Sequence, residues 1–129
     1  METTTEKKRI LLAEDDEFIS DVYTRKFTKE GFDVDLAMNG EQALQKAREH
    51  KPDIILLDLI MPVKDGFETL KELKADPGLK DIRVIVLSNL SQDEDRAEVK
   101  ALGAVDYCVK AQVSFGEMVD KIKLHLAPV

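Results

Sequence analysis

The chain is 129 residues long, 43% hydrophobic and 35% charged, with 26 acidic against 19 basic residues and a net charge of −7. One globular domain over 1–129 is expected, with 1–7 as an N-terminal extension; the composition excludes a disordered chain, and the charge argues against a nucleic-acid-binding surface. No apolar run approaches membrane-spanning length and the start "METTTEKKR" holds no apolar signal region, so a cytoplasmic protein with no membrane partner is expected.

In chain order, "RILLA" (9–13) reads as a strand. Phe18, Ile19, Val22, Tyr23 and Phe27 then recur at helical spacing. "FDVDLA" (32–37) is the second strand, and Ala43, Leu44 and Ala47 mark the helix after it. "DIILLD" (53–58) is the third. Its run from Ile54 to Leu57 is continuously apolar, as a strand covered on both faces must be. Asp58 interrupts that run before Leu59, Ile60 and Met61 resume it. Phe67, Leu70 and Leu73 define the third helix, and "IRVIVLS" (82–88) the fourth strand. The helix after Ser91 carries Asp93, Glu94, Asp95, Arg96, Glu98 and Lys100 with few large apolar residues, so loose packing is expected. "VDYCVK" (105–110) is the fifth strand. Its Cys108, the only cysteine, reads as a buried free thiol in a reducing compartment. Phe115, Met118, Val119, Ile122 and Leu126 give the last helix. "SQDE" (91–94) and "SFGE" (114–117) both have the pattern of a capping box.

Five strand-helix units with short loops imply a parallel sheet covered by helices on both faces. In such sheets ligands bind beyond the carboxyl ends of the strands. This reading places Glu14, Asp15 and Asp16 there after the first strand, Asp58 after the third, Ser88 after the fourth and Lys110 after the fifth. Taken singly, each has a plain structural role. An Asp caps a helix, acids complement a helix dipole, and a strand-end lysine is a solvated charge. Converging on one edge, they do more. Clustered carboxylates need a cation or a shared proton, and hard oxygen donors on a shallow edge suit Mg²⁺. Asp58 can then act as an oxygen nucleophile toward phosphorus, with Ser88 and Lys110 positioning the phosphoryl oxygens.

Through "ILLAEDD", "DIILLDLIMPVKDG", "VIVLS" and "GAVDYCVK" the chain resembles the response regulator receiver domains of two-component systems, from about residue 8 to 126. The resemblance implies a flavodoxin-like, doubly wound five-stranded parallel sheet in the order 2-1-3-4-5 with five helices. It implies Asp58 as the phosphorylated residue. Asp16 and the Ile60 backbone carbonyl would join Asp58 as Mg²⁺ ligands, with Asp15 acting through a bound water. Ser88 and Lys110 would contact the phosphoryl group, and Tyr107 would be the aromatic that changes rotamer when Ser88 moves. The implied partners are a histidine kinase or histidine phosphotransfer protein upstream, and a protein at the face of helix 4, strand 5 and helix 5 downstream. A stand-alone module with no output domain is the expected form.

Three departures from the receiver pattern stand out. Ala111 follows Lys110 where proline is usual. Asn89 follows Ser88 where a small residue is common. Ile60 and Leu90, two beyond the acceptor and the hydroxyl, are apolar, which points to a long-lived phosphoryl group. Two other functions fit less well. A small Mg²⁺-dependent phosphatase with an aspartyl nucleophile would want an acid where Ile60 stands. A flavodoxin-like cofactor carrier would want a phosphate loop where the mutually repulsive "EDD" stands.

Overall fold

The structure, a computed structural model, describes residues 7–90 and 92–127. β1 (Arg9–Ala13) leads to α1 (Glu17–Lys29), β2 (Asp33–Ala37) to α2 (Gly40–His50), and β3 (Ile54–Leu57) to α3 (Gly66–Ala75). β4 (Arg83–Ser88) then leads to α4 (Asp93–Ala101), and β5 (Asp106–Val109) to α5 (Phe115–Leu126). The five strands are parallel, in the order β2-β1-β3-β4-β5. Parallel neighbours cannot be joined by a tight hairpin, so a helix fills each crossover.

The pleat sorts the strand residues into two cores. Leu11, Ala13, Ile55, Leu57, Val84 and Val86 point to one face and pack with Leu44 of α2, Leu70 of α3 and Val99 of α4. Ile10, Leu12, Ile54, Leu56, Ile85 and Leu87 point to the other and pack with Phe27 of α1 and Met118 and Ile122 of α5. β3 lies at the centre with all four residues fully buried. Each fully buried Leu or Ile contributes about 1.5–3 kcal/mol, so this strand is the most firmly held platform in the sheet. Cys108 is buried as a free thiol, as expected.

Four helices begin on a side chain that satisfies an early amide. Asp16 caps α1, Asn39 caps α2, Asp65 caps α3, and Ser114 with Glu117 forms the full capping box on α5. α4 differs. Its N-cap is Gln92, which makes no side-chain capping bond, and Val99 is its only buried residue. The Ser91 end of the box expected there lies outside the described residues, as does the N-terminal extension up to residue 6. The loose packing expected of α4 is present.

One expectation about α1 fails. Phe18 was placed on its apolar stripe, but it is 78% exposed. Phe27 lies nine residues on, two and a half turns at about 100° per residue, so the two rings project from opposite sides. Only Phe27 is in the core.

Candidate functional site

Strands β1, β3, β4 and β5 bring their carboxyl ends to one edge, where Glu14, Asp15, Asp58 and Lys110 meet. Asp58 follows β3 and is 6% exposed, with its backbone N–H donating to Ala13 O at 3.1 Å. Gly66 fixes it from the other side. A Cβ on Gly66 would lie 2.3 Å from the Asp58 carbonyl oxygen, so only glycine permits α3 to start this close. The loop between them carries Val63 at φ 69°, a left-handed conformation that a β-branched residue rarely adopts.

Lys110 Nζ donates to Asp58 Oδ2 at 2.8 Å and also pairs with Glu14 Oε1. Asp58 Oδ1 accepts from Ile60 N at 3.3 Å. Burial pushes the Glu14 carboxyl up, and Lys110 and the Asp16 amide only partly offset it. For Lys110, burial pulls the pKa down, but the hydrogen bonds to Asp58 and Glu14 prevail and hold it above the ordinary lysine range. The ammonium is therefore charged at neutral pH, held between two carboxylates.

One carboxylate oxygen from each of Glu14, Asp15 and Asp58 lies within 4.8 Å of the others. Glu14 Oε1 is buried against the Lys110 ammonium, with Asp15 and Asp58 close by. Three carboxylates around a single ammonium leave net negative charge, a donor set that fits a hard divalent cation.

The expected site residues fall into place unequally. Asp15, Asp58 and Lys110 converge. Ser88 is fully buried at the end of β4, its Oγ accepting a long 3.4 Å bond from Leu90 N. Tyr107 donates its hydroxyl to Leu90 O, and the Arg96 guanidinium lies 4.8 Å over its ring. Burial pushes the Tyr107 phenol up, so it keeps the proton it donates. Ile60 reaches the site through its backbone, while its side chain is 60% exposed at the rim. Leu90, expected beside it, packs instead against the core on the α2–α4 side. Asp16, expected to ligate metal, accepts from Ile19 N at 3.0 Å as the α1 cap. Glu14 is the acid that joins the cluster. The signal was where β1 ends: Glu14 directly follows the strand and continues the buried row of Ile10 and Leu12, whereas Asp16 is already the N-cap of α1. The Lys110–Ala111 bond is trans, since the described residues contain no cis peptide.

A profile of the response regulator receiver domain matches residues 10–123, nearly the whole described chain. The chain belongs to that family. Over 126 residues, 98% of its length, it is 37% identical to the transcriptional regulatory protein PrrA of Mycobacterium tuberculosis, of which it spans 53%. The receiver domain thus covers about half the length of that relative. The receiver domain of the Francisella response regulator 1452 superposes with a TM-score of 0.86 at 30% identity, covering 93% of this chain and 97% of that one. The Vibrio cholerae chemotaxis protein CheY4 superposes with a TM-score of 0.86 at 26% identity, covering 92% and 98%. As a receiver domain of two-component response regulators, the protein is a signalling module, and no described helix is long and apolar enough to cross a membrane.

Proposed function

We propose that this receiver domain carries its phosphoryl group on Asp58, received from a phosphohistidine of a histidine kinase or histidine phosphotransfer protein. The observation that carries the reading is Asp58 itself: a nearly buried carboxylate at the end of a fully buried strand, held by Lys110 and facing Glu14 and Asp15. An Asp58 oxygen forms the new bond to phosphorus while the phosphorus–nitrogen bond of the donor breaks, and the electron pair leaves with the imidazole. Lys110 and Ser88 bind the transferred phosphoryl oxygens. Glu14, Asp15, Asp58 and the Ile60 carbonyl are the groups that would hold Mg²⁺. When bound, the ion supplies positive charge that offsets the carboxylates and the incoming phosphoryl group. Among these, Asp15 replaces Asp16 as the direct ligand, because Asp16 is engaged as a cap.

Recruitment of Ser88 toward the phosphoryl group draws the loop after β4, to which Tyr107 is bound through Leu90 O. The face of α4, β5 and α5 then binds a downstream protein with altered affinity, a population shift rather than a new fold. The chemistry is limited to self-phosphorylation and self-dephosphorylation in the cytoplasm. With a net charge of −7, the chain is assigned no direct nucleic-acid contact here, although PrrA is a transcriptional regulatory protein. A phosphatase acting on free substrate is less well supported, since an apolar Ile60 stands where its acid would be.

Intact mass after incubation with acetyl phosphate and Mg²⁺ tests the reading. One base-labile phosphoryl group should be added, and Asp58→Asn should abolish the addition. Undiminished labelling of that variant would refute the assignment.

A further inference from the structure

Two of the departures from the receiver pattern meet in the structure. Ala111 N donates to Asn89 Oδ1 at 3.1 Å. Asn89 directly follows Ser88, the last residue of β4, and Ala111 directly follows Lys110, just past β5. The regular ladder ends one step earlier, where Ser88 lies opposite Val109 and Lys110 N donates to Ser88 O at 2.9 Å. The Asn89 amide therefore adds one rung beyond the ladder, made from a side chain. A proline at 111 would have no N–H to donate, and a glycine or alanine at 89 would have no side-chain oxygen to receive one. Each unusual residue supplies what the other requires.

The rung ties together the residues that directly follow Ser88 and Lys110. Both side chains need help from their backbones. Among the described residues Ser88 Oγ has only a long contact to Leu90 N to orient it, and Lys110 Nζ, held at its tip by Asp58 and Glu14, ends a flexible four-carbon stem. On the β4 side the backbone runs on into α4, whose N-cap Gln92 makes no side-chain capping bond.

We propose that the Asn89–Ala111 rung is a positioning device, which holds the loops after β4 and β5 at a fixed separation so that Ser88 and Lys110 meet a phosphoryl group as a preset pair. Groups already in place bind incoming charge without a further ordering cost. Asn89 is exposed and acts through Ser88 and Lys110, so it is not itself a catalytic residue. The inference rests on Asp58 being the acceptor.

The test uses the full chain and two ligands in turn, Mg²⁺ alone and then beryllofluoride in saturating Mg²⁺ as the phosphoryl mimic, both by calorimetry. In Asn89→Ala the Mg²⁺ affinity should stay unchanged, because the carboxylates sit on β1 and β3. Affinity for the mimic should fall about five-fold, the worth of one neutral hydrogen bond. Exchange of the Ala111 amide, measured without ligand, should speed up in the same variant. Ala111→Pro should lose a similar amount of mimic affinity, and the double variant should lose no more than either single one. Wild-type mimic affinity in Asn89→Ala would overturn the proposal. So would an equal fall in both affinities, which would mean general loosening, or additive losses in the double variant. If the wild-type chain takes up no mimic, the acceptor reading fails and this inference falls with it.

Discussion

On the β1–β3 side of the site edge, Asp58 leaves a strand whose four residues are fully buried, and Gly66 closes against its carbonyl. The flanking helices α1 and α3 start on Asp16 and Asp65 caps. On the β4 side, Ser88 leads into α4, whose N-cap Gln92 makes no side-chain capping bond and which buries Val99 alone. The carboxylates thus stand on the rigid half, and the hydroxyl stands at the entrance to the loose half. The contrast separates two tasks. A nucleophile and a metal site need fixed geometry, whereas a signal must move something that other proteins can sense. The molecule concentrates its weak packing where movement would be read out.

The sharpest way to break this contrast is amide exchange. Opening of α4 should require less free energy than opening of β3 by about 2 kcal/mol or more, a factor of at least roughly thirty in exchange rate. Exchange with beryllofluoride should change most between residues 88 and 110. Equal protection of α4 and β3, or a change confined to α3, would show that the packing difference does not govern the motion.

The rigid half is probed next by its acids. Asp15→Ala should weaken Mg²⁺ binding by at least about tenfold, as losing a metal-supporting group typically does. Asp16→Ala should leave Mg²⁺ affinity nearly intact and instead cost about 1 kcal/mol of stability through the lost α1 cap. Metal titration and urea unfolding of the two variants separate the roles. A larger metal defect in Asp16→Ala would restore the ligand role that the resemblance assigned to that residue.

The boundary between the halves carries Ile60, exposed and apolar beside Asp58. It offers no group to orient a water attacking the phosphorus, so the phosphoryl group should persist. Ile60→Asn should shorten its lifetime several-fold, a barrier change of about 1 kcal/mol. Decay is followed by intact mass after the donor is removed. Leu90→Glu should add little to hydrolysis but cost stability, because Leu90 leans on the core. Unchanged decay in Ile60→Asn would mean that backbone groups set the lifetime.

What was legible in the sequence follows the same division. Continuous apolar runs announced β3 and β4 because a doubly covered strand has no alternative composition. Asp58 and Ser88 were legible because each ends such a run, and Lys110 because it follows the next strand at the same edge. The strand order was implied by resemblance alone, since periodicity fixes which faces are covered but not which strands are neighbours. Which of Glu14, Asp15 and Asp16 reach the carboxylate cluster was not legible, because three successive acids offer no contrast in type. Counted forward from Ile10 and Leu12, the pleat reaches both Glu14 and Asp16, so only the end of β1 and the start of α1 tell them apart. The Asn89–Ala111 bond joins residues 22 apart through a side chain and a backbone amide, and no periodic pattern encodes such a contact.

The smallest effect concerns the partner of α4 across β5. Asp106, at the start of β5, accepts from Lys121 at 3.1 Å and lies 3.0 Å from His125 Nε2, both on α5. Its other hydrogen bond comes from the Tyr107 amide. Burial alone would raise the Asp106 carboxyl, but His125, the Tyr107 amide and Lys121 together hold it below the usual aspartate range. A carboxyl held lower in the folded state than in the unfolded chain stabilises the fold at every pH above its ordinary value. That contribution disappears as the pH falls through the depressed folded value. Asp106→Asn keeps an oxygen for the Tyr107 amide and removes only the charge. It should cost about 0.5–1 kcal/mol at pH 7, within the range of partly exposed ion pairs. The gap between variant and wild type should then close as the pH drops from about 4 toward 2, the range below the ordinary aspartate value. Urea midpoints of both proteins across that range give the measurement. A gap that persists in strong acid would mean that α5 is held to β5 by packing and not by charge, and the electrostatic part of its difference from α4 would fall away.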